Sequence, residues 1–515
     1  MLLVKSYTKP VLYLIGINII IKLLLAPLLE LGNDEVYYWT YLLRPDWNYF
    51  DHPPMVGWMM RFFTFNGFWA SEISVRLGSI VASAVSTWFI FKIGKLLSRE
   101  RLGWYAAILY SASIYTGFIA GFFVLPDSPQ MPFWTGALYI MAHLMLRKSD
   151  ENNWGIWLLL GLVIGLAALC KVHGLFLWAG FGLFILLQKR QWLSNPRLYV
   201  SAFITLLCLV PILYWNINYD FITYRFHSER VTNTGVQIDS FIQEIVGEFA
   251  YQNPIVFILV WISVIFFAMR KFRFRQNRIG IWLLCMSLPM LLVFWAVALF
   301  NPTLPHWSGP AYIPLYFLVA AWFEIGKPNF FPLVFKLAIA IVAVVLVAAT
   351  VAVKFSPVNF GSKSPNSYGE YCPTLDLSGW NKLGENFKTM VAEDVAKGEI
   401  KDGAVLLTNK WFPGGHLEFY VARPIGMPLI GIGELQDLHQ FAWLNKERSP
   451  LQIGQDAYAI VPSNLPLNVV DAYGAYFTTV EKPEKLLQQR GGGVVRYFYV
   501  YKLKGCKQIP KPLIN

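Results

Sequence analysis

Residues 11–39 read VLYLIGINIIIKLLLAPLLELGNDEVYYW. A helix rising about 1.5 Å per residue needs roughly 20 apolar residues to cross a hydrocarbon core about 30 Å thick. The run at 11–29 meets that length. It exceeds the roughly 7–15 residues of a signal-peptide core and has no clear cleavage site, so it reads as a retained first span. Two acids, Asp34 and Glu35, follow where the chain would leave the bilayer.

Outward from this stretch the pattern repeats. Apolar runs lie near 74–94, 103–121, 130–146, 155–170, 174–188, 198–215, 254–270, 280–300, 309–325 and 332–354, which with the first predicts eleven transmembrane helices. Composition agrees: 56% of the 515 residues are hydrophobic and 14% are charged, against about 25% charged in soluble domains. Aromatics reach 17%, with 20 Trp, as many membrane–water interfaces require. The net charge of +12 comes from short basic clusters between apolar runs, which argues for membrane topology and against nucleic-acid binding.

Those clusters set an orientation. Seventeen Lys and Arg, from Lys5 and Lys9 through Arg270–Arg278 to Lys327, fall on one side. Five (Arg44, Arg61, Lys171, Arg225 and Arg230) fall on the other. The positive-inside rule then predicts a cytoplasmic N-terminus and an extracytoplasmic tail. The expected domains are a transmembrane domain at 1–354 and a soluble α/β domain at 355–515. Strand-like runs at Ala404–Leu407, Ala457–Val461 and Val494–Leu503 mark the latter. Cys372 and Cys506 both lie there, and an oxidising compartment would let them pair. Cys170, Cys208 and Cys285 read as inert core residues.

The chemistry collects in the outer loops. After the first span come Asp34, Glu35 and then Tyr49-Phe50-Asp51-His52-Pro53-Pro54. Asp127 follows the third span, and Lys171-Val172-His173-Gly174 joins the fifth and sixth. Arg225, His227 and Arg230 follow the seventh, and Leu304-Pro305-His306-Trp307 precedes the tenth. Ionisable groups at a membrane edge are costly unless paired or hydrated, so their collection on one face points to function. A carboxylate can take a proton from an acceptor hydroxyl while cations hold a phosphate leaving group. Each residue has a plainer reading too. Asp34-Glu35 suits the start of a helix at Val36, Asp51-His52-Pro53-Pro54 a stiff turn, and Asp127 a turn or N-cap. Lys171 suits snorkelling, Arg225 and Arg230 lipid headgroups, and His306 an interfacial anchor.

The acidic loops together resemble the GT-C fold glycosyltransferases, namely the protein O-mannosyltransferases and the bacterial lipid A aminoarabinose transferases. Asn409-Lys410-Trp411 and His416-Leu417-Glu418-Phe419-Tyr420 in the tail are similar as well. The resemblance implies an inverting transfer from a polyprenyl-phosphate sugar to a hydroxyl of a protein, lipid or glycan, at the outer face of a bacterial inner membrane. It implies Asp34 as general base, Glu35 in support and Asp127 as a second site acid. Asp51, His52, Lys171, His173, Arg225, His227, Arg230 and His306 would then bind substrate, with Lys171 and the two arginines on the lipid phosphate. Aminoarabinose transferases carry Glu-Lys where this chain has Asp51-His52, which argues against aminoarabinose as the donor sugar. Asp51, His52 and His306 are candidate ligands for a divalent metal, though their spacing forms no local motif. The alternatives are a polyprenyl-diphosphate glycan ligase or polymerase, a transporter of lipid-linked glycans, and a non-catalytic assembly or sensor protein. No Walker loop or Rossmann fingerprint occurs.

Overall fold

The computed structural model describes residues 6–229, 235–274, 276–325 and 332–514. Helical segments coincide with every expected span. Among the described residues, five helices are long and apolar enough to cross a bilayer: Thr8–Leu28, Glu72–Leu97, Pro196–Asn218, Asn277–Ala298 and Leu333–Phe355. Ile238–Tyr251 and Pro254–Ala268, bent by 105°, would count as a sixth if taken as one span. Trp154–Cys170, Val172–Gln188 and Gly309–Ile325 are shorter apolar helices. The chain is a multi-pass membrane protein.

Contacts divide it into two compact units. The first comprises Met1–Leu23, Asp51–Met59 and Arg76–Val345; the second comprises Leu24–Phe50, Met60–Val75 and Leu346–Asn515. The second unit is therefore discontinuous. It takes in the loop that carries Asp34 and Glu35, which the sequence boundary at 354/355 had grouped with the spans.

In the first unit, helix exteriors are apolar and polar groups turn inward, the reverse of a soluble protein. On Thr8–Leu25 only Val11 and Lys22 are buried, while Leu12, Ile17, Ile20 and Leu24 are exposed. Lys22 donates to the Ser83 hydroxyl at 2.7 Å. Trp154–Cys170 meets Pro196–Asn218 through Gly161 and Gly165, where any Cβ would collide with the Ser201 carbonyl or the Cys208 side chain. Thr205 donates to the Gly161 carbonyl at 2.8 Å. Close approach over small residues, with a hydroxyl bond as glue, is how helices associate when lipid removes the hydrophobic drive.

The amphipathic helix Ile238–Tyr251 was not foreseen. It exposes Ile238, Ile242, Val246 and Phe249 and buries Ser240, Glu244 and Glu248. It breaks at Asn253-Pro254 because proline cannot continue a helix. Asn253 sits at φ 68° and caps the next helix through Ile255 N–H.

The second unit is built on a mixed six-stranded sheet: β1 (Val405–Thr408), β2 (Leu429–Gly431), β3 (Ala457–Pro462), β4 (Phe477–Val480), β5 (Glu484–Arg490) and β6 (Gly493–Cys506). The order is β2-β1-β3-β6-β4, with β5 also paired to β6. β1 runs parallel to β2 and β3, and β6 is antiparallel to β3, β4 and β5. β1 and β3 are buried throughout, as continuous apolar runs in central strands should be. The expected strands match β1, β3 and β6. Cys372 and Cys506, whose pairing the sequence left open, are free and buried. Cys372 packs with Leu375 and Val495, whereas Cys506 is at the end of β6 opposite Phe477.

Candidate active site

In the first unit the residues picked from separate loops gather around one ion pair. Asp127 opens the helix Asp127–Leu146, where a carboxylate meets the positive end of the helix dipole. Lys171, at the end of Trp154–Cys170, reaches it at 2.9 and 3.1 Å, and the Tyr115 hydroxyl donates to it at 2.7 Å. Both partners are buried. Burial pushes the Asp127 carboxyl up, but Lys171, His306 and the hydrogen bonds from Lys171 and Tyr115 outweigh it and hold the group below the usual carboxylate range. Lys171, expected on the donor phosphate, is thus already committed to Asp127.

Three histidines lie within electrostatic reach of that pair. His52 is pulled down to about 4, first by burial, then by His227 and Lys171 against the opposing pull of Asp51 and Asp127. Burial followed by Lys171 brings His306 down to about 4 as well. His173 falls well below its ordinary value through burial and Lys171. All three are neutral at pH 7, so each ring offers one N–H donor and one acceptor nitrogen. His173 packs edge-on to Phe294 and Trp307, with ring centroids 4.9 and 6.3 Å away. His227 donates through Nε2 to the Asp51 carbonyl at 2.8 Å, and its ring centroid is 6.1 Å from that of His52.

Not every candidate joins this group. Arg225 forms an exposed pair with Asp220 at 2.7 Å. Arg230 lies outside the described residues. Of the metal candidates Asp51, His52 and His306, the first two approach to 3.9 Å. Among the described residues no three His, Cys, Asp or Glu side chains are placed to hold a metal ion.

Sequence reasoning missed Glu244 and Glu248. Glu248 accepts hydrogen bonds from Ser308, from Trp295 at 3.0 Å and from Tyr312 at 2.9 Å. Glu244 accepts from Thr303 at 2.7 Å. Together they clamp both ends of the turn that carries His306. The signal was available as Ser240, Glu244, Glu248 and Gln252, a polar stripe at four-residue spacing beside the exposed apolar Ile238, Ile242, Val246 and Phe249.

In the second unit, Asp34 and Glu35 occupy the first turn of the helix Asn33–Leu43 and diverge in environment. Glu35 is buried and accepts the Gly32 N–H at 2.9 Å, so it caps the helix. Asp34 is exposed. The segment before it is tied to the tail. Glu30 N–H donates to the Leu377 carbonyl at 3.2 Å, Leu31 N–H to the Tyr420 hydroxyl at 2.6 Å, and the Asn33 amide to Asp376 at 2.9 Å. The Glu30 carboxylate in turn accepts Trp380 N–H at 2.7 Å. His416 Nε2 donates to both the Leu31 and Asp376 carbonyls at 3.0 Å. Burial, then the Arg496 charge, brings His416 down to about 3, leaving it neutral. Asp376 is pushed up to about 6 by burial, opposed by Arg496 and the Asn33 amide.

Residues 51–215 match the family described as dolichyl-phosphate-mannose-protein mannosyltransferase. Over 292 residues the chain is 23% identical to the lipid A galacturonosyltransferase RgtD of Rhizobium johnstonii, covering 54% of this chain and 58% of that protein. It is 31% identical over 143 residues to the undecaprenyl phosphate-alpha-4-amino-4-deoxy-L-arabinose arabinosyl transferase of Yersinia enterocolitica, covering 25% of each. The chain thus spans little more than half the length of the first curated relative, and less of the second. Among solved structures, ArnT of Cupriavidus metallidurans superposes with a TM-score of 0.59 at 14% identity, over 96% of this chain and 98% of that one. The same protein bound to undecaprenyl phosphate gives 0.58 at 16% identity with the same coverage. The fold is the ArnT-like GT-C fold, and the resemblance to the ArnT and protein mannosyltransferase superfamily holds.

Proposed function

We propose that this chain is an inverting glycosyltransferase that moves a sugar from a polyprenyl-phosphate donor to a hydroxyl of a lipid-borne acceptor, on the outer face of a bacterial inner membrane. The observation that carries the reading is Asp34. It is an exposed carboxylate in the first turn of a helix whose capping is done by its neighbour Glu35, within a chain of ArnT-like fold.

In this mechanism Asp34 takes the proton of the acceptor hydroxyl as that oxygen attacks the anomeric carbon in line. The new C–O bond forms as the bond to the phosphate oxygen breaks, and polyprenyl phosphate leaves with the electron pair. The configuration at the anomeric carbon inverts. The leaving phosphate needs fixed donors rather than a nucleotide site. In the first unit Lys171 is held by Asp127, which also accepts from Tyr115, and the neutral His52, His173 and His306 each carry an N–H donor. The loop charges support the outer face, and the names of the relatives support a lipid acceptor.

The test compares donors on the purified full chain. Undecaprenyl-monophosphate sugars should yield glycosylated lipid A and free undecaprenyl phosphate, while undecaprenyl-diphosphate glycans should yield neither. Transfer from the diphosphate donor alone would overturn the reading in favour of a ligase.

A further inference from the structure

The tail beyond the last span has no role in the chemistry above, yet it holds the segment that presents Asp34. Every buried backbone N–H and C=O must find a partner, so tracing those of residues 30–33 shows what fixes them. Locally, the Gly32 N–H is bonded to Glu35 and the Gly32 C=O accepts the Val36 N–H at 3.0 Å. Glu30 N–H, Leu31 N–H and Leu31 C=O are bonded to Leu377, Tyr420 and His416, and the Asn33 side-chain amide donates to the Asp376 carboxylate.

The partners are themselves held. Both contacts of His416 Nε2 are carbonyl oxygens, so that nitrogen carries the proton, and one N–H joins residues 31 and 376. Its ring stacks on Trp380 at 4.2 Å, and the buried Arg496 lies over Trp380 at 4.3 Å. Gly415, next to His416, lies so close to Val36 that an added Cβ would come within 3.0 Å of its backbone. This puts the 411–416 turn directly against the helix that starts at Asn33.

We infer that His416, Tyr420 and Asp376 are positioning residues that hold the backbone of residues 30–33 and so set where the Asp34 carboxylate stands. The inference rests on Asp34 being the general base. A base works only when held close to its productive geometry, and a displacement of about 1 Å can cost on the order of 100-fold in rate. The tail therefore acts on the catalytic step through Asp34, without touching substrate.

The experiment measures kcat and KM for an undecaprenyl-phosphate sugar with lipid A, in full-length protein whose thermal unfolding is recorded alongside. Tyr420→Phe removes one oxygen. Asp376→Ala and Asn33→Ala remove one hydrogen bond from opposite ends, whereas Asp376→Asn keeps an acceptor. The first three should each lower kcat by about 10- to 100-fold with donor KM within about threefold, and Asp376→Asn should stay within about threefold of the parent. Adding Tyr420→Phe or Asp376→Ala to Asp34→Asn should cost nothing more, because there is no base left to position. A purely structural role would lower the residual rate of Asp34→Asn as well. Unchanged kcat in Tyr420→Phe and Asp376→Ala, with Asp34→Asn inactive, would overturn this inference and leave the base assignment standing. An active Asp34→Asn would overturn the base assignment itself. Should Tyr420→Phe fail to fold, the Asn33 and Asp376 variants decide alone.

Discussion

Asp34 and Asp127 both sit in the first turn of a helix, where the backbone dipole favours a negative charge. Beyond that they differ in burial and surroundings. Asp127 is buried, bonded to Lys171 through both oxygens and to Tyr115 through one, and its charge is already neutralised. Asp34 is exposed, its capping duty is taken by Glu35, and its approach segment is fixed through the backbone. A carboxylate that must accept a proton from an incoming hydroxyl needs access and a fixed position. One that must anchor a cation needs burial and a partner. In the proposed mechanism the two tasks fall to two acids.

The widest predicted gap between them is in turnover. Asp34→Asn should lower kcat by about 10²- to 10⁴-fold, the usual worth of a general base, with undecaprenyl-phosphate binding unchanged. Isothermal calorimetry beside turnover measurements separates the two effects.

Asp127 should show instead in stability. Lys171→Met strands a buried carboxylate and should destabilise the fold by about 3–5 kcal/mol. The double variant with Asp127→Asn should recover much of that loss, read as thermal unfolding in detergent. A Lys171→Met protein as stable as the parent breaks the contrast.

A smaller effect comes from Asp376. Its carboxyl goes from an ordinary 3.8 to about 6 in the folded chain. The folded state therefore keeps its proton longer than the unfolded one, so stability falls as pH rises across that window and levels off above it. Asp376→Asn should remove this slope and stabilise the protein by on the order of 1–2 kcal/mol at pH 7.5, shown by melting curves at pH 4.5 and 7.5.

The smallest effect belongs to Arg225. As half of an exposed pair with Asp220, its change to Ala should alter stability by less than about 1 kcal/mol and leave turnover within about twofold. A large rise in donor KM would return it to the phosphate role suggested by the sequence.

What the sequence made legible follows from how local each signal is. A span is written in about 20 consecutive residues, so helices stand at every expected position, and the strands that became β1, β3 and β6 were found the same way. Asp127, Lys171, His173 and His306 were visible as polar interruptions between apolar runs. Their pairing was not, because Asp127 and Lys171 are 44 residues apart and each suits an interface alone. The helix Ile238–Tyr251 escaped notice because its buried acids are spread among apolar residues that face outward. The attachment of Leu31 to Tyr420 spans 389 residues and uses a backbone N–H, which no residue type announces. Whether Cys372 and Cys506 pair was not legible for a similar reason: sharing a domain does not bring two thiols together, and both are free.

The central claim is that Asp34 supplies the base, and chemical rescue tests it most directly. Asp34→Ala opens space where a small carboxylate can take over the proton. Single-turnover transfer from pre-bound undecaprenyl-phosphate sugar to lipid A should be nearly abolished in this variant and should recover in proportion to added formate, while Asp127→Ala should show no such response. Wild-type transfer by Asp34→Ala in the absence of formate would contradict the account.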